Sequence, residues 1–206
     1  WDDCGLLGMV FHPEFGQPGS TNRGYVFVHY QYTSVAPTNP PPGERLYGPT
    51  PSYTRLSRFT VPDGSLGADP NSELILVNQF DRHLWHDGSV MFFGPDGFLY
   101  FTIGDEGGAD DFYDSAQKLD GGLFAGVFRI DVNGDPAKSH PIRRQPLAGG
   151  PPPEGWTNSF TANYWIPNDN PWVNPDGSVL EEYWALGLRS PHRMTFDAVS
   201  GLIWLG

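Results

Sequence analysis

Three times along the chain an apolar stretch ending in Phe leads into a polar turn, after which a glycine opens a run of four apolar residues. The first copy is Met9-Val10-Phe11-His12-Pro13, closed by Gly24-Tyr25-Val26-Phe27-Val28. The second is Met91-Phe92-Phe93, closed by Gly97-Phe98-Leu99-Tyr100-Phe101, and the third is Met194-Thr195-Phe196-Asp197, closed by Gly201-Leu202-Ile203-Trp204-Leu205. In the second copy Pro95-Asp96-Gly97 is a turn with a mechanism, since Pro presets φ and Gly supplies a positive φ. Each copy therefore predicts a β-hairpin.

The copies recur at roughly 80 to 100 residues, longer than the 40 to 50 of a minimal propeller blade, so each blade must carry insertions. Three are visible: the Pro-rich stretch from Ala36 to Tyr53, the stretch from Pro146 to Asn163, and the Asp- and Gly-rich stretch from Gly104 to Asp120. The first interrupts a hairpin between a strand at 24–32 and another at 56–61. Rigid hairpins with long loops at one end are how a propeller builds a site. A β-sandwich with chance similarity between hairpins is the alternative. Helical signal is confined to 115–124, enough for a turn or two, and Gly121-Gly122 limits it.

Composition agrees with turn-rich β structure: 26 Gly and 21 Pro accompany 15% aromatic residues, which disordered chains lack. The chain opens at Trp1 and stops at Gly206 directly behind the apolar run 202–205. This predicts that 1–206 is a fragment of one propeller domain, truncated at both ends, with room for about three blades. A formal net charge of -12 repels phosphate backbones and anionic lipid, so nucleic acid and membrane insertion are poor expectations and a neutral ligand such as a sugar fits. The single cysteine, Cys4, excludes an internal disulfide and a multi-cysteine zinc site.

The polar residues that flank the second hairpin carry the chemistry. His83-Leu84-Trp85-His86-Asp87-Gly88 leads into it and Gly104-Asp105-Glu106-Gly107-Gly108 leaves it, so His86 and Asp105 are placed to meet at one end of a blade. A carboxylate there would fix the imidazole tautomer, and a histidine, with a reference pKa of about 6.5, is mostly neutral at pH 7 and able to accept a proton. The other reading of His86 is packing or capping of a turn. His83 and His86 would share a metal only on a helix, which Gly88 argues against. Asp131-Val132-Asn133-Gly134-Asp135 begins like a calcium loop but lacks the closing Glu, so it predicts a tight turn. The acidic loop with Asp105, Glu106, Asp110, Asp111 and Asp114 reads either as a calcium site or as a solvated loop. Arg189, delivered by the strand 184–188, reads either as a partner for an anionic cofactor oxygen or as one half of a salt bridge.

In combination these stretches resemble the glucose/sorbosone dehydrogenase family. The resemblance runs through Gly5-Leu6-Leu7-Gly8-Met9-Val10-Phe11-His12-Pro13-Glu14-Phe15, Leu56-Ser57-Arg58-Phe59 and Phe93-Gly94-Pro95-Asp96-Gly97-Phe98-Leu99-Tyr100 with Gly104-Asp105. It continues in Phe128-Arg129-Ile130-Asp131-Val132, Ile166-Pro167-Asn168-Asp169-Asn170-Pro171 and Ala185-Leu186-Gly187-Leu188-Arg189, in family order. It implies an all-β, six-bladed β-propeller of which part is present, and a periplasmic or secreted quinoprotein. Such an enzyme oxidises an aldose or related sugar alcohol group by hydride transfer to pyrroloquinoline quinone, with calcium, and passes electrons to an acceptor such as a cytochrome. The resemblance puts His86 in the place of the base, Asp105 in that of its acidic partner, and Arg189, followed by Ser190, beside the quinone. Asp3, Trp85 and Asp110 fall where substrate-facing residues occur. The family often has Asn where this chain has Ser190, and Asp or Asn where it has Trp85. Its calcium ligands belong to a loop that would follow Gly206, so the fragment alone is expected to be inactive. A non-catalytic binding propeller, like the Hedgehog-interacting relatives, is the alternative, because fold does not fix function. A calcium-dependent hydrolase would need more inward carboxylates than one loop offers.

Overall fold

The computed structural model describes residues 5–33, 51–88, 90–148, 150, 152 and 154–206. Among the described residues there is no helix; 115–124, where one or two helical turns were expected, is a string of turns and bends. The two glycines there and the left-handed backbone at Asp114 (φ 51°) leave no uninterrupted run to propagate a helix.

The first sheet is built from β1 (Gly5–Phe11), β2 (Tyr25–Tyr32), β3 (Ser52–Thr60) and β4 (Asp69–Asp81), each antiparallel to the one before. The second contains β5 (Met91–Phe93), β6 (Leu99–Ile103) and β7 (Gly126–Ile130). Outside β7 lies β11 (Tyr183–Leu186). A third hairpin pairs β12 (Met194–Asp197) with β13 (Leu202–Leu205). A small two-stranded sheet joins β8 (Ser139–Pro141) to β10 (Trp165–Pro167). The insertion expected at 146–163 is not all loop: β9 (Phe160–Thr161) adds to the free edge of β4 and satisfies backbone groups there. The insertion expected at 36–53 ends earlier than its expected bound, since β3 starts at Ser52; its residues 36–50 lie outside the described residues.

The three sequence repeats adopt one register. Met9, Met91 and Met194 stand opposite Val28, Phe101 and Leu205, each four residues beyond the repeat glycine. Phe11, Phe93 and Phe196 stand opposite Val26, Leu99 and Ile203, each two beyond it. The first strands of the three repeats are neighbours in space, β5 packing beside both β1 and β12. Equivalent hairpins that meet at their first strands are arranged radially, and the fold is a partial β-propeller, not a sandwich.

Radial stacking explains why β6 and β7 are apolar almost throughout. Leu99, Phe101, Ile103, Phe128 and Ile130 face the first sheet and pack with Phe27, Leu56, Leu76 and Val77. The alternate residues Tyr100 and Val127, with Phe98 just before β6, face the third hairpin and pack with Met194 and Ile203. A sheet covered on both faces reads as a continuous apolar run. Phe101 is fully buried and stacks on Phe128 with ring centroids 5.1 Å apart. Phe101→Ala should therefore lower stability by about 3–5 kcal/mol in urea unfolding. Leu66→Ala, at a fully exposed turn position, should leave the midpoint unchanged.

Candidate functional site

The ends of β6 and β11 and the segment that enters β5 meet at one glycine. A Cβ on Gly104 would fall on the carbonyl oxygen of His86 and lie 2.7 Å from that of Arg189. Only a hydrogen lets these three backbones touch. Around this point the Asp105 N–H donates to the Arg189 carbonyl (3.0 Å), Ala125 N–H to the Gly104 carbonyl (2.8 Å), and Leu188 N–H to the Ala125 carbonyl (2.9 Å). Residues far apart in sequence are thereby fixed by main chain.

The side chains of His86, Asp105 and Arg189 converge there. His86 Nδ1 lies 2.6 Å from Asp105 Oδ1, and His86 Nε2 lies 3.0 Å from Arg189 Nη1. A carboxylate only accepts and a guanidinium only donates. His86 is thus the neutral tautomer with its proton on Nδ1, donated to Asp105, and its Nε2 lone pair receives Arg189. Asp105 is buried, and its Oδ1 also accepts the Gly107 N–H at 3.0 Å. His86 holds its backbone at φ 64°, a conformation that costs a non-glycine residue on the order of 1 kcal/mol or more. Arg189, exposed, gives its second bond to the Gly108 carbonyl at 2.8 Å.

Other expected residues are placed less centrally. Trp85 is half-buried against His83, with ring centroids 4.2 Å apart, and its Cβ closes on Gly107. Ser190 is half-buried next to Arg189. Asp110 is exposed two residues beyond Gly108 at φ 54°, and no hydrogen bond joins it to the other three among the described residues. Asp3 and Cys4 lie outside the described residues. The stretch 131–135 is a tight turn in which the Asp131 carboxylate accepts the N–H groups of Asn133, Gly134 and Asp135. Among the described residues no three His, Cys, Asp or Glu side chains are grouped to hold a metal ion.

Sequence reasoning missed two supports beneath the site. Glu106, fully buried, receives Arg82 through Nε (3.0 Å to Oε1) and through Nη2 on its other oxygen. Burial pushes the Glu106 carboxyl up and Arg82 opposes the rise; the Arg82 guanidinium also sits 3.8 Å from the centre of the Tyr113 ring. The second support is Asp87, buried toward the first sheet. Acids adjacent to both His86 and Asp105 were the available signal, but charge spacing does not say which acids turn inward.

The sequence profile described as Glucose / Sorbosone dehydrogenase matches residues 2–158. The HIPL1 protein of Arabidopsis thaliana is 30% identical over 213 residues, covering 95% of this chain and 28% of that protein. The mouse Hedgehog-interacting protein is 28% identical, covering 95% and 23%. This chain thus spans about a quarter of the length of the curated relatives it matches. Among solved structures, one titled glucose dehydrogenase aligns with a TM-score of 0.62 at 20% identity, over 99% of this chain and 47% of that one. The soluble aldose sugar dehydrogenase of Escherichia coli aligns at 0.55 and 20%, over 99% and 43%. These structural likenesses are to the fold. With the profile spanning most of its length, the chain belongs to the glucose/sorbosone dehydrogenase family.

Proposed function

We propose that the protein to which this chain belongs is a quinone-dependent sugar dehydrogenase in which His86 is the general base. The observation that supports it is the pair of contacts on His86: a buried carboxylate holds the proton on Nδ1, and Nε2 remains an acceptor at the surface. An entering sugar hydroxyl takes the place of Arg189 Nη1 on Nε2, and the hydroxyl proton passes to that nitrogen. Asp105 then faces an imidazolium and stabilises it. The hydride leaves the same carbon, so the alcohol loses one proton and one hydride and becomes a carbonyl.

Pyrroloquinoline quinone, when bound, supplies the two-electron acceptor for that hydride. A guanidinium fork suits its anionic oxygens, and Arg189, with Ser190 behind it, would hold it. Calcium takes six to eight oxygen ligands. Among the described residues no three His, Cys, Asp or Glu side chains are grouped to hold it, and calcium is assigned no role at them. Trp85 and Asp110 would form the wall nearest the sugar, and Asp3 is carried as a further substrate-facing residue. A periplasmic or secreted location, with a cytochrome as electron acceptor, fits this chemistry; among the described residues no helix is long and apolar enough to cross a membrane. A second reading, a propeller that binds a partner without catalysis, is favoured by the likeness to the Hedgehog-interacting protein.

In the whole protein reconstituted with quinone and calcium, His86→Ala should lower the rate of sugar oxidation about 10² to 10⁴-fold with quinone affinity retained. Undiminished turnover in that variant would remove His86 as the base, and absence of dye-linked sugar oxidation in the wild type would favour the binding reading. Arg189→Ala should instead weaken quinone binding, read by cofactor titration; wild-type affinity would detach Arg189 from the quinone.

A further inference from the structure

Three consecutive residues on the turn that carries His86 have three different environments. His86 reaches Asp105 and Arg189. Gly88 lies so close to the Thr102 carbonyl that a Cβ there has no room. Between them Asp87 turns inward and is fully buried. Its Oδ1 accepts from Gln31 Nε2 on β2 at 2.6 Å and from Thr54 Oγ1 on β3 at 3.0 Å. The carboxyl of Asp81, the last residue of β4, is close enough for the two acids to act on each other. Gln31 and Thr54 stand directly opposite each other in the β2–β3 register. Two adjacent strands of the first sheet thus bond one side chain in the segment that leads into the second, and a third brings a carboxyl near it.

Charge makes this a demanding arrangement. Two carboxyls buried beside each other resist ionising together. Burial, followed by the neighbouring Asp87 and Glu106 carboxyls, pushes Asp81 well above the usual carboxylate range. The Asp81 Oδ1 also accepts the His83 N–H at 2.8 Å. A buried acid is costly, and losing the Gln31 and Thr54 bonds would raise that cost, which opposes any drift of the turn away from β2 and β3.

We propose that Asp87 is the positioning residue for His86, an inward hook that holds the left-handed turn in the one place from which the imidazole meets both Asp105 and Arg189. The inference rests on reading His86 as the base. Packing alone would not set the turn so closely, because the residues on either side of Asp87 are a strained histidine and a glycine without a side chain. Anchored at Asp87 on one side and stopped by Thr102 on the other, the turn has no lateral freedom.

The test reads His86 itself, in nitrogen–proton correlation spectra of the imidazole groups of the chain at neutral pH, assigned by loss in His86→Gln. The wild type should show a protected Nδ1–H. Asp87→Asn should keep it, because the amide oxygen still accepts from Gln31 and Thr54. Asp87→Ala should lose the signal or exchange it with water at least about tenfold faster, the worth of a buried bond to a charged group. Leu56→Ala, a core truncation in the same sheet, should lower the thermal midpoint and leave the signal in place. If Asp87→Ala does not fold, Thr54→Val removes one donor at nearly constant volume and should accelerate exchange in the same direction. Wild-type protection in the folded Asp87 or Thr54 variant, or equal loss in Leu56→Ala, would overturn the proposal. Neither sugar nor quinone is present, so a whole protein that fails to oxidise sugar would sink the dehydrogenase reading and leave this result standing.

Discussion

The site depends on a main-chain contact before it depends on any side chain: the backbones of His86 and Arg189 close on Gly104 with only a hydrogen between them. That approach puts the turn before β5, the end of β6 and the loop after β11 at van der Waals distance. The Asp105 N–H then bonds the Arg189 carbonyl, so the acid and the cation are linked through the main chain before their side chains take part. The side-chain geometry follows. With the three backbones held, an Asp at 105 lies beside Nδ1 and an Arg at 189 lies beside Nε2, with no further search. Any larger residue at 104 would part the segments that carry them.

The sheets make such a contact affordable. The second sheet has neighbours on both faces, so β6 and β7 bury nearly every residue and cannot slide without exposing Phe or Ile. Rigid strand ends allow the connecting loops to be irregular. Glu106, Asp110, Asp111 and Asp114 all have left-handed backbones, on the order of 1 kcal/mol or more apiece, within nine residues. Local bonds hold that loop: Asp111 Oδ1 accepts the N–H groups of Ser115 and Ala116, and Ser115 Oγ donates to the Asp105 carbonyl. The strain is stored next to the candidate chemistry and offset by the layers beneath it.

How much of this the sequence discloses depends on whether the interaction is local or periodic. The hairpins at Met9, Met91 and Met194 are legible because a Phe, a turn and a glycine at fixed offsets define both strands and their register. That His86 and Asp105 flank one hairpin is legible for the same reason. β9 is not legible, because two residues at a sheet edge carry no period. The turns at 115–124 carry a helical signal in sequence because propensity does not report left-handed backbone. The Asp87 anchor joins residues 56 and 33 positions apart through single polar side chains. No repeat or spacing marks it, and only the stacking of the first sheet on the turn reveals it.

The chain contains a comparison that bears on what the His86 cluster is for. Arg129 is 3% exposed, bonded to Asp96, Asp169 and Asn170, and covered by Phe98 and Trp184. Arg143 closes on the buried Glu181. In each the cation meets an anion, which is how a structural ion pair is neutralised. Arg189 instead points, exposed, at the lone pair of a neutral imidazole and at a carbonyl oxygen, leaving Asp105 to the far side of the ring. A pair built for stability would have placed the guanidinium on the carboxylate. The ring stands between the two charges, and its Nε2 meets Arg189 at the exposed side. On the proposed reading, a hydroxyl group competes with Arg189 for the nitrogen and an anionic oxygen competes for the arginine.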